Sequence, residues 1–152
     1  MTDLHRNALT IQTRLHALGL DIEPRELDSS ARTATEAAAS LGTTVGQIVK
    51  SLVFFRGEQP VIVLCAGDRR VDAERLGLRV ANAKEAKAVT GFAIGGIPPL
   101  GHDQSLPTII DESLRRFDVV WCAAGTPRTL FPLAPDDLVR ITGGEVRAVA
   151  AR

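Results

Sequence analysis

Apolar residues recur at Leu4, Ala8, Ile11, Leu15 and Leu18, in alternating steps of four and three, so the first segment predicts a helix with one apolar stripe that ends at Gly19. A second helix is expected from Thr33, which stands at capping-box spacing from Glu36, through an alanine run to Gly42. Thr44 and Gln47 repeat that spacing and predict a short helical turn. The pattern then changes to two runs rich in branched and aromatic residues, SLVFF and VIVLCAG, joined by the polar stretch RGEQP, and this predicts a β-hairpin. VDAERLG and AKEAKAVTG read as short helices closed by Gly77 and Gly91. Beyond them follow a strand TIID, a short helix ESLRRF, a strand DVVWCAA, a strand TLFPL, a helical turn beginning near Pro135 and a last strand EVRAVA.

The strands fall into two hairpin-like groups separated by short helices. That order predicts an α/β fold in which a mixed, largely antiparallel sheet is surrounded by short helices, rather than regular βαβ alternation. A chain of 152 residues without linker, repeat or low-complexity segment is expected to form one domain over residues 1–152. At 45% hydrophobic and 24% charged, its composition is that of a globular protein, and no apolar run approaches the roughly 20 residues needed to cross a bilayer. No membrane partner is expected. The N-terminus MTDLHRNALT lacks the basic and apolar regions of a secretory signal, so the expected location is cytoplasmic. Formal net charge is zero, which removes the broad basic footprint of many nucleic-acid binders and leaves room only for local contact with RNA.

Candidate chemistry is sparse. Lys50 lies at the start of the first hairpin strand, where alternation puts it on one face with Ile48, Leu52 and Phe54. It is either a strand-end lysine whose stem covers apolar surface, or a cation at a pocket floor that steadies an oxyanion or orients a carboxyl or phosphate group. Ser51 points to the opposite face, which disfavours a Ser-Lys catalytic pair.

The stretch GGIPPLGHD places Gly96 and Gly101 at the spacing of a phosphate-binding loop, but His102 and Asp103 replace the lysine and hydroxyl, and Pro98 and Pro99 remove two N–H donors. A loop so composed is stiff in its middle and free at its ends, a wall whose glycine N–H groups can meet an oxygen. His102 titrates near neutrality and can be structural or chemical. His5 and His16 have no metal-ligand spacing, so neither metal nor cofactor is expected. Cys65 and Cys122, each inside an apolar run, read as small buried hydrophobes, and no G-x-S-x-G elbow is present. The glycine-centred turn in AAGTPRT reads, by itself, as a hairpin connection.

Three ordered segments together resemble the YbaK family: the lysine strand IVKSLVF, the loop of Gly96, Ile97, Pro98, Pro99, Leu100, Gly101 and His102, and the turn in DVVWCAAGT. The aspartate of TIIDESL and the segment PDDLVRITGG are also similar, and the likeness runs from about residue 30 to the end. That family includes free-standing aminoacyl-tRNA deacylases and the editing domain inserted in bacterial prolyl-tRNA synthetases. The resemblance implies a compact, barrel-like mixed sheet and hydrolysis of an amino acid wrongly esterified to tRNA. It ties activity most closely to Lys50. It places Gly96, Pro99, Gly101 and His102 at the border of the aminoacyl pocket, with Gly125 and Thr126 opposite and Ser51 beside the lysine.

Ester hydrolysis then proceeds by direct attack of water, with Lys50 holding the acyl group or 3′-terminal nucleotide and His102 contacting that nucleotide or the water. The implied partners are the acceptor end of a mischarged tRNA and an aminoacyl-tRNA synthetase. Two rival readings stay open at this stage. One is a binding module that holds an aminoacyl or nucleotide end, or docks on a synthetase, without catalysis. The other is a hydrolase of small esters.

Overall fold

The computed structural model describes residues 5–27 and 33–150. Leu4, first of the expected stripe, lies outside them. Helix α1, Arg6–Ala17, buries Ala8, Ile11 and Leu15, and the chain turns at Gly19 with φ +86°, so the stripe and its stop fall where the spacing puts them. His5 caps it, its Nδ1 accepting the Asn7 N–H at 3.0 Å. Helix α2, Ala34–Leu41, starts where Thr33 Oγ1 accepts the Glu36 N–H at 3.1 Å and ends at left-handed Gly42. A 3-10 turn, Val45–Gln47, follows, with Gln47 Oε1 accepting the Thr44 N–H at 3.1 Å.

Strands β2, Val49–Arg56, and β3, Gln59–Ala66, form the predicted hairpin, but pairing of Phe55 with Pro60 and Arg56 with Gln59 shortens its connection from RGEQP to Gly57 and Glu58. Gly57 supplies the positive φ, +63°, that so tight a turn needs. After α3, Ala73–Leu76, comes β4, Arg79–Val80, too short to leave an alternation signal, and then α4, Ala83–Thr90, opened by an Asn82–Glu85 capping box. The rest follows the sequence order: β5, Thr108–Asp111; a 3-10 stretch, Glu112–Arg116; β6, Val120–Ala123; β7, Thr129–Leu133; α5, Pro135–Thr142; and β8, Glu145–Arg147. A further two-residue strand, β1, Arg25–Glu26, precedes α2 in the chain.

The strands form two sheets, β4-β2-β3-β5-β8 and β1-β7-β6. Pairing is antiparallel except for β3 with β5 and β5 with β8, which gives the mixed, largely antiparallel arrangement expected. The sheets touch through a parallel bridge between Ile48 and Trp121 and do not close into a complete barrel.

The main core lies between their inner faces, where Ile62 and Leu64 of β3, Phe131 of β7, Leu138 of α5 and Ile11 and Leu15 of α1 meet. A second cluster, on the outer face of the larger sheet, holds Phe54, Val63, Cys65 and Ile109 under Leu76, Leu78 and Val149. Burying each such side chain fully is worth about 1.5–3 kcal/mol, so β3, buried on both faces from Val61 to Ala66, anchors both clusters. Among the described residues, no helix is long and apolar enough to cross a membrane.

Candidate active site

The N-terminal half of β2 is a partly open strand edge. Its neighbour β4 covers Phe54 and Phe55, Ala81 N–H reaches the Val53 carbonyl at 3.0 Å, and the Ile48–Trp121 bridge closes the other end. Between these closures the edge borders a cavity of about 330 Å³ in the seam between the sheets. Thr33, Ala34 and Ala37 of α2 form one wall. Val80, Ala81 and Ala86 form a second, Ile94, Gly95 and Ile97 a third, and Ala123, Pro127 and Leu130 of the smaller sheet a fourth. The lining is predominantly apolar, and Lys50 and Ser51 sit on its floor.

These two neighbours present themselves differently. Lys50 pairs with Cys65 across the hairpin and shares its face, so its side chain runs along the outer face of the sheet, where Nζ donates to the Arg69 carbonyl at 2.5 Å. Lys50 is thus half-buried and in the cavity lining, while its ammonium is held by the turn after β3. That turn is braced in its own right: the Arg116 guanidinium grips Asp68 with both nitrogens, at 2.8 and 3.1 Å, and holds the carboxyl below the usual carboxylate range. Ser51 faces inward with Val49 and Val53, as alternation requires. Its Oγ is buried and has no hydrogen-bond partner among the described residues.

The GGIPPLGHD loop divides into two ends. At the first, a Cβ on Gly96 would lie 2.8 Å from the backbone of Thr126, so only glycine lets the loop seat against the Gly125 turn and complete the cavity wall. The Gly96 N–H donates to the Ala93 carbonyl at 3.0 Å, so it closes its own turn and is not the free donor the sequence suggested. At the second end, Gly101 (φ +82°) packs on Ile11 and Arg14 of α1, and the His102 Nε2–H donates to the Pro98 carbonyl at 2.7 Å. Burial lowers the His102 pKa, and the Arg14 charge lowers it further, while the bond to Pro98 and the Asp103 charge act the other way. The ring is therefore neutral at pH 7. Pro99 is buried with Pro98. Pro99, Gly101 and His102 are not among the residues that line the cavity; Gly101 seats the far end of the loop on α1, and His102 ties that end back to Pro98.

The turn opposite behaves similarly. Gly125 (φ +99°) leaves no room for a side chain beside Asn7 and Phe92, and its carbonyl accepts the Asn7 Nδ2–H at 3.0 Å. Thr126 Oγ1 and Thr129 Oγ1 lie 2.7 Å apart, and Pro127 next to them faces the cavity.

Both cysteines are buried and free. Burial, with the Asp111 carboxylate beside it, pushes the Cys65 thiol up to about 12, and burial alone pushes Cys122 up. Neither supplies a thiolate nucleophile. Asp111, the aspartate of TIID, is wholly buried and takes bonds from the Ala66 N–H and from the Ser113 N–H and Oγ. It pins β3 to β5 and is not among the residues that line the cavity.

Sequence reasoning missed the walls supplied by α2, by Val80 and Ala81, and by Ile97. Val80 and Ile94 carried one signal, since both are large hydrophobics left exposed, at 64% and 54%, on the cavity rim.

Residues 28–141 match the model of a family described as the aminoacyl-tRNA editing domain. A solved structure described as a candidate trans-editing enzyme for prolyl-tRNA synthetase superimposes with a TM-score of 0.92 at 42% identity, covering 99% of this chain and 100% of that one. EbsC of Enterococcus faecalis, described as a candidate Cys-tRNA(Pro)/Cys-tRNA(Cys) deacylase, is 26% identical over 127 residues, 78% of this chain and 77% of EbsC. A proline–tRNA ligase of Lactobacillus acidophilus is 30% identical over 117 residues, which are 68% of this chain and 21% of the ligase.

Proposed function

The chain belongs to the aminoacyl-tRNA editing domain family, and from that premise we propose that it is a trans-editing deacylase, a single editing unit over residues 1–152 that removes a small amino acid from a mischarged tRNA. The observation that carries this reading is the 330 Å³ cavity at the β2 edge, a predominantly apolar recess with Lys50 and Ser51 on its floor. Such a recess accepts the acyl end of an aminoacyl ester and keeps bulk water from its side chain.

In the reaction a water oxygen bonds to the ester carbon, the carbonyl oxygen takes the developing charge, and the bond to the ribose oxygen breaks. A proton passes to that ribose oxygen, leaving the free amino acid and a tRNA 3′-hydroxyl. Each backbone donor aimed at the oxyanion lowers the barrier by roughly 3–4 kcal/mol. Gly95 and Ile97 are cavity-lining residues whose N–H groups meet no backbone acceptor among the described residues, and we assign them the task first expected of Gly96. Lys50 exchanges its bond to Arg69 for the acyl group or the 3′-terminal nucleotide. His102 and Pro99 hold the loop, and Thr126 holds the turn against it. A net charge of zero suits contact with the acceptor end alone, because tracking a longer stretch of phosphates requires more basic surface.

Deacylation measured on a panel of mischarged tRNAs, with Lys50→Ala alongside, tests the reading. The wild type is expected to cleave at least one small aminoacyl ester, and Lys50→Ala to lower its kcat/KM roughly 100-fold or more. Binding without turnover on every tRNA would instead mean a binding module. Equal turnover of small esters without RNA would make it a general esterase. Full activity in Lys50→Ala would remove the lysine from the mechanism and leave the function standing.

A further inference from the structure

We propose that Ser51 recognises the aminoacyl group as a neighbouring β-strand would, so that the substrate's α-amino and acyl groups complete a missing rung of the β2 ladder. The inference rests on the deacylase reading and adds which atoms read the substrate.

The argument begins with parity along the hairpin. In an antiparallel pair, residues alternately turn their N–H and C=O toward the partner strand or away from it. Ile62 sends its N–H to the Pro107 carbonyl and Ala66 sends its own to Asp111, both away from β2. Their cross-strand partners, Val53 and Val49, therefore point away from β3 too, and the Val53 carbonyl does so visibly, accepting from Ala81. Ser51, paired with Leu64 midway between them, has the same parity. Its N–H and C=O therefore face away from β3, and between the Ile48–Trp121 bridge and the Ala81–Val53 bond no second strand is paired with it among the described residues. With the unpartnered Oγ, one residue brings a donor, an acceptor and a hydroxyl to a cavity whose other walls are mostly apolar.

An aminoacyl ester carries the same complement as one residue of a strand, an amino N–H donor and an acyl C=O acceptor on adjacent carbons. Set antiparallel to β2, its amino group donates to the Ser51 carbonyl and its acyl oxygen accepts the Ser51 N–H. The hydroxyl accepts a second proton from the amino group. Directly paired residues put their side chains on the same face. The side chain of an L-amino acid is thereby directed, like that of Ser51, toward Val53, Ala81, Ala86 and Ile97, the buried end of the recess. The same rung explains why the cavity needs no charged side chain aimed at the amino group.

The test compares, on the wild-type protein, a tRNA charged with the amino acid it cleaves best and the same tRNA carrying the desamino acyl group, in which hydrogen replaces the amino group. The desamino ester is expected to lose roughly 100-fold in kcat/KM, because the Ser51 carbonyl and hydroxyl are then buried without a donor. Ser51→Ala should lower kcat/KM for the aminoacyl ester roughly tenfold and shrink the penalty on the desamino ester by the same factor, a coupling that a purely structural role would not produce. Ser51→Pro removes an N–H that no ladder bond uses, so it should keep the thermal midpoint near wild type while reducing kcat. Equal cleavage of both esters by the wild type overturns the inference and leaves the deacylase reading intact, as does an unchanged penalty in Ser51→Ala. Failure to cleave any aminoacyl-tRNA overturns both.

Discussion

Gly96 and Gly101 stand in one loop and serve opposite ends of the molecule. Gly96 lets the loop backbone lie against Thr126 and Pro127 and so shapes the cavity, while Gly101 presses on Ile11 and Arg14 of α1 and is not among the residues that line the cavity. The paired prolines between them make the loop a rigid lever with one end at the site and the other clamped to the scaffold. A residue type in a motif therefore does not reveal its work; the surface it approaches does.

Substitutions at the two ends are expected to separate stability from activity. The turn that faces the loop should give the largest stability change. Gly125→Ala forces a side chain into φ +99° and within 2.7 Å of the Asn7 Cβ, and a loss of about 2–4 kcal/mol is expected in urea unfolding. Gly101→Ala, at φ +82° but against the flexible end of Ile11, should cost about 1–2 kcal/mol and change kcat/KM by less than about twofold once the protein is folded.

Gly96→Ala reverses that balance. It has no positive φ but pushes against the Thr126 backbone, which cannot rotate away, so deacylation should fall roughly tenfold or more alongside a stability loss of about 1–3 kcal/mol. An Ala at Gly101 that abolished activity at full stability would erase the distinction between the ends.

The smallest effect concerns pH. His102 is neutral in the fold because burial lowers its pKa from the ordinary 6.5, so the unfolded chain binds the proton more readily. Its contribution to stability is complete above about pH 6.5 and declines as pH falls below that value toward the depressed one. The thermal midpoint of the wild type should therefore drop through this window, and that of His102→Gln should drop less. A steeper fall in the variant would contradict a neutral, clamped ring.

Much of the fold was legible because its signals are local. Thr33 and Glu36, Thr44 and Gln47, and Gly19, Gly42, Gly77 and Gly91 mark helix ends through bonds made within a few residues, whereas the Asn82–Glu85 box went unread. Alternation in SLVFF and VIVLCAG fixed both the hairpin and the opposed directions of Lys50 and Ser51. The parallel pairing of β5 with β3 and with β8 left no such mark, since it depends on backbone atoms far apart in the chain. Nor did the two-residue strands β1 and β4, which are shorter than one period of alternation can reveal.

The site divides in the same way. Lys50, Ser51 and the two glycine turns could be named, but not that Gly101 and His102 belong to the α1 clamp. That depends on where Ile11 and Arg14 fall in space. The cavity itself arises from the gap between two sheets, which no single segment encodes.

The open stretch of β2 has a consequence for how this chain behaves among copies of itself. A strand edge long enough to pair invites association with like chains and, in time, fibrous aggregates. Here the Ile48–Trp121 bridge and the Ala81–Val53 bond leave only the span around Ser51 uncovered, and α2 and the Gly95–Ile97 wall sink it below the surface. The edge is too short and too deep for another strand to lie along it. The depth that makes it a pocket also protects the protein from aggregation.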